Sequence, residues 1–272
     1  MKVLISTDIE GVAGVYHHEQ ARPGNPEYER ARLLMTQEAN AAIAGAFDAG
    51  ATEVLVNDSH GGFRNMPPDV LDARARVVQG KPRYLSMVAG VEEGVDAVCM
   101  VGYHSRAQGR GILAHTINSF AFAGIWLGDR ELGEAGLYGA LAGEYGAPVV
   151  MGSGDDVFIA ENRSLFPHAT FVETKKATGF NSGVSLSPEQ SRLAIRAGVA
   201  EALAGRTKAS PLVFKGPQVV TLRTQSPMMA DLFCQWPSFE RIDGVTLRFT
   251  ADTVEAAVRM LNCCSAMSSM LR

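Results

Sequence analysis

The apolar and polar positions fall into two rhythms. Val3-Leu4-Ile5 is a short, uninterrupted apolar run, the pattern of a strand covered on both faces. From residue 26 the rhythm changes. Ala31, Leu34, Met35, Ala39, Ala42, Ile43 and Ala46 recur at helical spacing, with Pro26 suited to the first turn and Gly50 to the stop. A β-branched strand follows at 53–57. Strand, helix and strand within about fifty residues form a βαβ unit, with parallel strands and a right-handed crossover. Residues 65–81 read as irregular or partly helical, because Pro67-Pro68 blocks a regular start.

The strand rhythm returns at 95–103. Residues 125–132 read as a hairpin turning at Gly128-Asp129, and Gly133-Glu134 opens a helix through Leu137, Leu141 and Tyr145. A strand at 149–151, a loop at 152–156, a helix from Asp155-Asp156 to Phe166 and a strand at 169–173 come next. Ser187-Pro188-Glu189-Gln190 reads as a capping box for a helix reaching Leu203. Pro211, Gly216 and Pro217 punctuate a shift in composition. Beyond it come a strand (219–223), a helix (228–234), a strand (245–250) and a helix (254–270) with an apolar stripe at Val254, Ala257, Val258, Leu261 and Cys264. The whole reads as an α/β fold: an open, mostly parallel sheet flanked by helices, with a smaller C-terminal α+β portion. Residues 1–208 form the α/β unit, and 209–272 a βαβα portion, either a small second domain, an oligomer-forming part or an extension of the first.

Composition narrows the function classes. Hydrophobic residues are 46% and charged residues 20% of the chain, as in ordinary globular proteins. The formal net charge of -4 gives no basic field toward nucleic acid or an anionic membrane. No apolar run approaches the length of a membrane span and no leader pattern opens the chain, so the expected compartment is the cytoplasm. Cys99 reads as a small buried hydrophobe. Cys263 and Cys264 are adjacent, which makes neither a zinc spacing nor a disulfide framework.

The chemistry lies at the strand ends. The first strand runs into Asp8 and Glu10, two residues apart, so an extended backbone directs both carboxylates to one side. Two such acids repel unless a cation lies between them. The second strand runs into Asp58-Ser59-His60, and the strand at 95–103 ends at His104. Parallel strands bring these ends to one edge, where open α/β sheets bind their ligands. Glu134 is explained at a helix start by the dipole, and it is also placed as a fifth ligand. His17-His18 reads as a solvated loop pair, Lys175-Lys176 as a solvated pair or one facing an anion, and the acids at 155–156 as helix caps.

Asp8, Glu10, His60, His104 and Glu134 form a mixed nitrogen and oxygen set suited to Zn²⁺, and also to Mn²⁺, Co²⁺ or Fe²⁺. Three carboxylates and two imidazoles exceed the needs of one tetrahedral zinc and suit two cations roughly 3.5–4 Å apart, with Asp8 as the natural bridge. Hydroxide held there is a nucleophile at neutral pH. His115, amid apolar residues, is a core histidine or a group that moves protons or stabilises an oxyanion. Three functions remain open: a metallopeptidase, a dinuclear phosphoesterase, and a non-catalytic assembly protein that metal staples together. No Gly-rich phosphate cradle of recognised spacing supports the second.

The chain resembles the D-aminopeptidases of metallopeptidase family M55. The likeness rests on Ser6-Thr7-Asp8-Ile9-Glu10-Gly11, on 28–40, on Glu53-Val54-Leu55-Val56-Asn57-Asp58-Ser59-His60, on Gly102-Tyr103-His104-Ser105-Arg106-Ala107, on His115 and on Gly133-Glu134-Ala135-Gly136-Leu137. Residues 152–156 and Leu186-Ser187-Pro188 also agree. The likeness is clear over 1–205 and weaker beyond. It implies a dinuclear zinc aminopeptidase for short peptides with D-residues at the N-terminus, such as D-Ala-D-Ala. It places two Zn²⁺ per subunit on Asp8, Glu10, His60, His104 and Glu134, a catalytic histidine on His115, and implies a ring-shaped decamer. Lys176-Ala177-Thr178-Gly179-Phe180-Asn181 departs from the family pattern, which leads one to expect a basic residue near Phe180.

Overall fold

The computed structural model describes residues 1–272. In chain order the elements are β1 (Lys2–Thr7), α1 (His18–Ala21), α2 (Pro26–Asp48), β2 (Glu53–Asp58), β3 (Arg76–Val78), β4 (Ala97–Val101), β5 (Phe122–Leu127), β6 (Arg130–Glu131) and α3 (Glu134–Glu144). They continue as β7 (Val149–Asp155), α4 (Asp156–Asn162), β8 (Thr170–Gly179), β9 (Ser182–Ser185), α5 (Pro188–Ala204), β10 (Gln218–Thr224), α6 (Pro227–Phe233), β11 (Glu240–Arg241), β12 (Thr246–Ala251) and α7 (Val254–Met267).

Seven strands form the main sheet in the order β3-β2-β1-β4-β7-β8-β9, parallel except for β9. The period-2 alternation of β1 divides the interior. Val3 and Ile5 join one core with α2 and α5, while Leu4 joins the other with α3, α7 and a second sheet. The second sheet is antiparallel, β11-β12-β10-β5-β6. It takes β5 and β6 from before residue 208 and β10 to β12 from after it, so one sheet joins the two portions that the sequence separates. β10 and β12 pair antiparallel despite the intervening helix.

Several local expectations change. The loop foreseen at 152–156 is the end of β7, which stays extended through Asp155 because Gly152, Ser153 and Gly154 are fully buried between β4 and β8. The strand at 169–173 is longer and turns back as the β8–β9 hairpin, whose exposed residues carry no apolar alternation. Within 65–81 lies β3, an edge strand of three residues. No helix is long and apolar enough to cross a membrane. All four cysteines are free, with Cys99 buried in β4.

Candidate metal centre

β1, β2 and β4 are parallel neighbours, so their carboxyl ends share one edge. Two glycines let the chain segments beyond β1 and β4 close on each other. Gly11 donates its N–H to the Gly102 carbonyl at 2.7 Å, and a Cβ on Gly11 would collide with the Tyr103 carbonyl. Gly102 has φ +71, and a Cβ there would meet the Asp8 carbonyl. This contact sets Asp8 against His104. The turn after Glu10 is pinned from two sides. Ala13 N–H donates to the buried Glu38 at 3.0 Å, and the Lys175 ammonium donates to the Glu10 and Val15 carbonyls. Lys175 is buried, which pushes its pKa down to about 8. It is neither solvated nor turned to an anion, and the phosphate reading loses its basic pair.

Glu134 stands at the first residue of α3, where its Oε1 accepts the Ile117 N–H at 2.6 Å. The segment carrying His115 is fixed by three hydrogen bonds: Ile112 N–H to Asp155 Oδ2 (2.7 Å), Leu113 N–H to the Phe180 carbonyl (2.9 Å) and His115 N–H to the Ser105 carbonyl (3.2 Å). Asp155 also caps α4 through Phe158 N–H at 2.8 Å.

All six residues singled out from the sequence meet. His60 Nδ1 lies 3.2 Å from Asp8 Oδ1 and 3.0 Å from Glu10 Oε2. His104 Nε2 lies 3.4 Å from Asp8 Oδ2 and 3.5 Å from Glu134 Oε2. His115 Nε2 lies 3.6 Å from Glu134 Oε1, and its ring stacks on His104 at 4.0 Å and 10°. Asp8, Glu10, His104 and Glu134 are buried, while His60 and His115 are half-buried.

Each imidazole spends its other nitrogen on a backbone carbonyl. His60 Nε2 faces Ala21 O at 2.7 Å, His104 Nδ1 faces Ser105 O at 2.9 Å and His115 Nδ1 faces Leu113 O at 2.9 Å. A carbonyl only accepts, so those nitrogens carry the protons and the inward nitrogens of the neutral rings present lone pairs. Three lone pairs then face three carboxylates, and every partner is an acceptor. Two of these buried atoms, Glu10 Oε2 and His104 Nε2, have no hydrogen-bond partner. Such a set needs positive charge at its centre, from protons or from cations.

With protons alone, the electrostatics show the demand. Burial lowers His60 and His104, but Glu10 acting on His60 and Glu134 acting on His104, each joined by Asp8, push both well above the ordinary 6.5. Burial alone would raise Glu10, yet the His60 charge reverses this and holds it well below the usual range. Glu134 is lowered in the same way by His104. Asp8 is pushed up by burial and by Glu10. Two overlapping triads bring ligand atoms within 4.8 Å of one another, Asp8-Glu10-His104 and His104-His115-Glu134. The donor set fits divalent cations such as zinc.

Three contacts were invisible in the sequence. α1 matters through the Ala21 carbonyl that orients His60, whereas His17 only caps that helix and His18 is exposed. Asp58 receives Asn65 N–H (2.5 Å), Asn65 Nδ2 (2.6 Å), Met66 N–H (2.8 Å) and Gln79 Nε2 (3.1 Å), and Asn65 Nδ2 also reaches the His60 carbonyl at 2.6 Å. Lys175 reaches from β8 to the turn after Glu10. None of these partners stands at a telling sequence spacing from the residue it supports.

The comparisons with known proteins cover nearly the whole chain. Residues 1–263 match the peptidase M55 family, described as D-aminopeptidase. A D-aminopeptidase of Bacillus subtilis (strain 168) is 34% identical over 263 residues, 96% of this chain and 96% of its own length. A solved structure, the Zn-dependent D-aminopeptidase DppA from Bacillus subtilis, a self-compartmentalizing protease, superposes with a TM-score of 0.96 at 31% identity, covering 99% of this chain and 98% of that one. By these matches the chain belongs to the D-aminopeptidase family, peptidase family M55, and is a metallo-aminopeptidase.

Proposed function

We propose that Asp8, Glu10, His60, His104 and Glu134 hold two zinc ions, and that the enzyme removes D-residues such as D-alanine from the N-terminus of short peptides. The single observation that carries this reading is the ring of three carboxylates and inward-facing imidazole nitrogens with no proton donor between them. The zinc and the D-stereochemistry rest on likeness to the Bacillus subtilis enzymes. Bound there, divalent cations supply Lewis acidity that lowers the pKa of a water and polarises the scissile carbonyl.

The chain's own groups do the rest. Asp8 lies within reach of both His60 and His104, which suits it to bridge two sites. A neutral amine at the substrate's N-terminus could offer its lone pair to a cation held by these residues, which would give aminopeptidase polarity. His115 is held by Leu113 O at Nδ1, so Nε2 is the atom that exchanges a proton with the reacting group or donates to its developing oxyanion. The phosphoesterase reading keeps no supporting contact, since Lys175 is spent on backbone carbonyls. We infer assembly as a homo-oligomeric ring of ten; what supports an oligomer is the likeness to a self-compartmentalizing protease. A mass in solution of ten times the 29.1 kDa chain is expected.

The deciding experiment is a panel of D- and L-alanyl peptides offered to metal-loaded and chelator-stripped protein. Cleavage of D-alanyl peptides only by the loaded enzyme is the expected result. Cleavage by the stripped protein at full rate contradicts the reading.

A further inference from the structure

β3 is parallel to β2, so its carboxyl end opens on the same edge as His60. The chain leaving β3 is built against the chain leaving β2. Gly80 N–H donates to the Phe63 carbonyl at 2.5 Å, and Gln79 Nε2 reaches Asp58 Oδ2 at 3.1 Å and the Met66 carbonyl at 2.8 Å. Phe63 is buried three residues beyond His60. Two cations lie on its ring, Lys81 Nζ at 4.4 Å and the Arg83 guanidinium at 3.9 Å. They differ in employment. Arg83 is consumed by Val78 O, Asn57 Oδ1 and Asp58 O. Lys81 is exposed, and no carboxylate or carbonyl pairs with it. Phe63 N–H donates to the His60 carbonyl at 2.8 Å, so the ring that seats Lys81 is tied to a residue of the metal centre.

An ammonium seated on an aromatic face is held in place without being neutralised. Cations in the metal centre would repel it, so its complement is an anion brought by the substrate. In the aminopeptidase reading the substrate's amine lies at the metal centre. In a short peptide the other end, about 7 Å away in an extended dipeptide, is a free carboxylate. We propose that Lys81 binds the C-terminal carboxylate of the substrate and thereby selects dipeptides and similarly short peptides with a free C-terminus. The inference rests on the aminopeptidase reading above. Lys81 then acts as a specificity residue, raising the affinity for the free acid through one charge-assisted hydrogen bond.

The test uses metal-loaded enzyme with D-alanyl-D-alanine and with its C-terminal amide. For the wild type, KM for the acid is expected about tenfold below that for the amide. In Lys81→Met the acid's KM rises to that of the amide, while the amide's KM, kcat and metal content stay as in the wild type. Lys81→Arg restores part of the preference. Equal KM values for acid and amide in the wild type, or equal losses on both substrates in Lys81→Met, overturn the assignment of Lys81 and leave the peptidase reading standing. Failure of the loaded wild type to cleave either compound overturns that reading, and this inference with it.

Discussion

Asp8 and Asp58 end two neighbouring parallel strands, one residue apart in register, since Thr7 pairs with Asp58. Both are buried. Their surroundings are opposite. Asp58 is met by four N–H groups, from the Asn65 backbone and side chain, Met66 and Gln79. Asp8 has one backbone donor, Ile9 N–H at 2.9 Å, and otherwise faces imidazole nitrogens and other acids. A buried acid ringed by donors is satisfied by the fold and supports it. A buried acid ringed by acceptors stays unsatisfied until a cation or a proton arrives. The same residue type at the same strand edge is therefore structural in one place and, in the proposed metal centre, functional in the other.

Four substitutions or titrations press on that contrast. The largest effect is expected from Asp8→Asn, which removes the shared carboxylate. Peptide cleavage should fall by more than about a thousandfold and metal content should drop, while the metal-free protein keeps or gains thermal stability because Glu10 loses a like-charged neighbour. His115→Ala should lower kcat by about a hundredfold to a thousandfold with metal content unchanged, as read by steady-state kinetics and elemental analysis. Asp58→Ala should do the reverse of Asp8→Asn. Four buried donors lose their acceptor, so stability falls by about 2–4 kcal/mol in denaturant titration, while cleavage per folded chain stays within a few-fold.

The smallest effect is a pH slope. In stripped protein the carboxylates hold His60 and His104 above their ordinary 6.5. Raised imidazole values contribute stability that is complete below about 6.5 and is lost as pH rises through the folded-state values. The melting temperature of the stripped wild type should therefore decline as pH rises from 6.5 into the alkaline range. Metal displaces those protons, so loaded protein should lack the decline and metal should bind more tightly as pH rises. Asp58→Ala should keep the slope and Asp8→Asn should only reduce it, since Glu10 and Glu134 still act on the two imidazoles.

That these residues share one edge was largely legible because they follow closely on strands with a plain apolar signal. Val3 to Ile5 announces β1 and Asp8 follows directly on it, but β1 ends at Thr7 and Glu10 lies in a turn, so the turn rather than strand alternation brings Glu10 beside Asp8. Glu134 and His115 gained their standing from the family likeness, since a helix start explains the first and an apolar setting the second. What stayed hidden was whatever depends on distant partners. β9 is an exposed hairpin return without alternation. β10 and β12 look like parts of a βαβα unit in sequence, yet they pair antiparallel, with β10 set between β12 and β5. The donors around Asp58 and the reach of Lys175 across the turn after Glu10 are likewise set by tertiary contact, which no local spacing encodes.

The acceptor-rich cluster around Asp8 is proposed as the catalytic metal centre. The direct measurement is a zinc titration of chelator-stripped wild type, following D-alanyl-peptide cleavage and bound metal together. Activity should rise from zero with occupancy and level off at two ions per chain. Undiminished cleavage at zero bound metal, or zinc uptake by Asp8→Asn equal to that of the wild type, would contradict it.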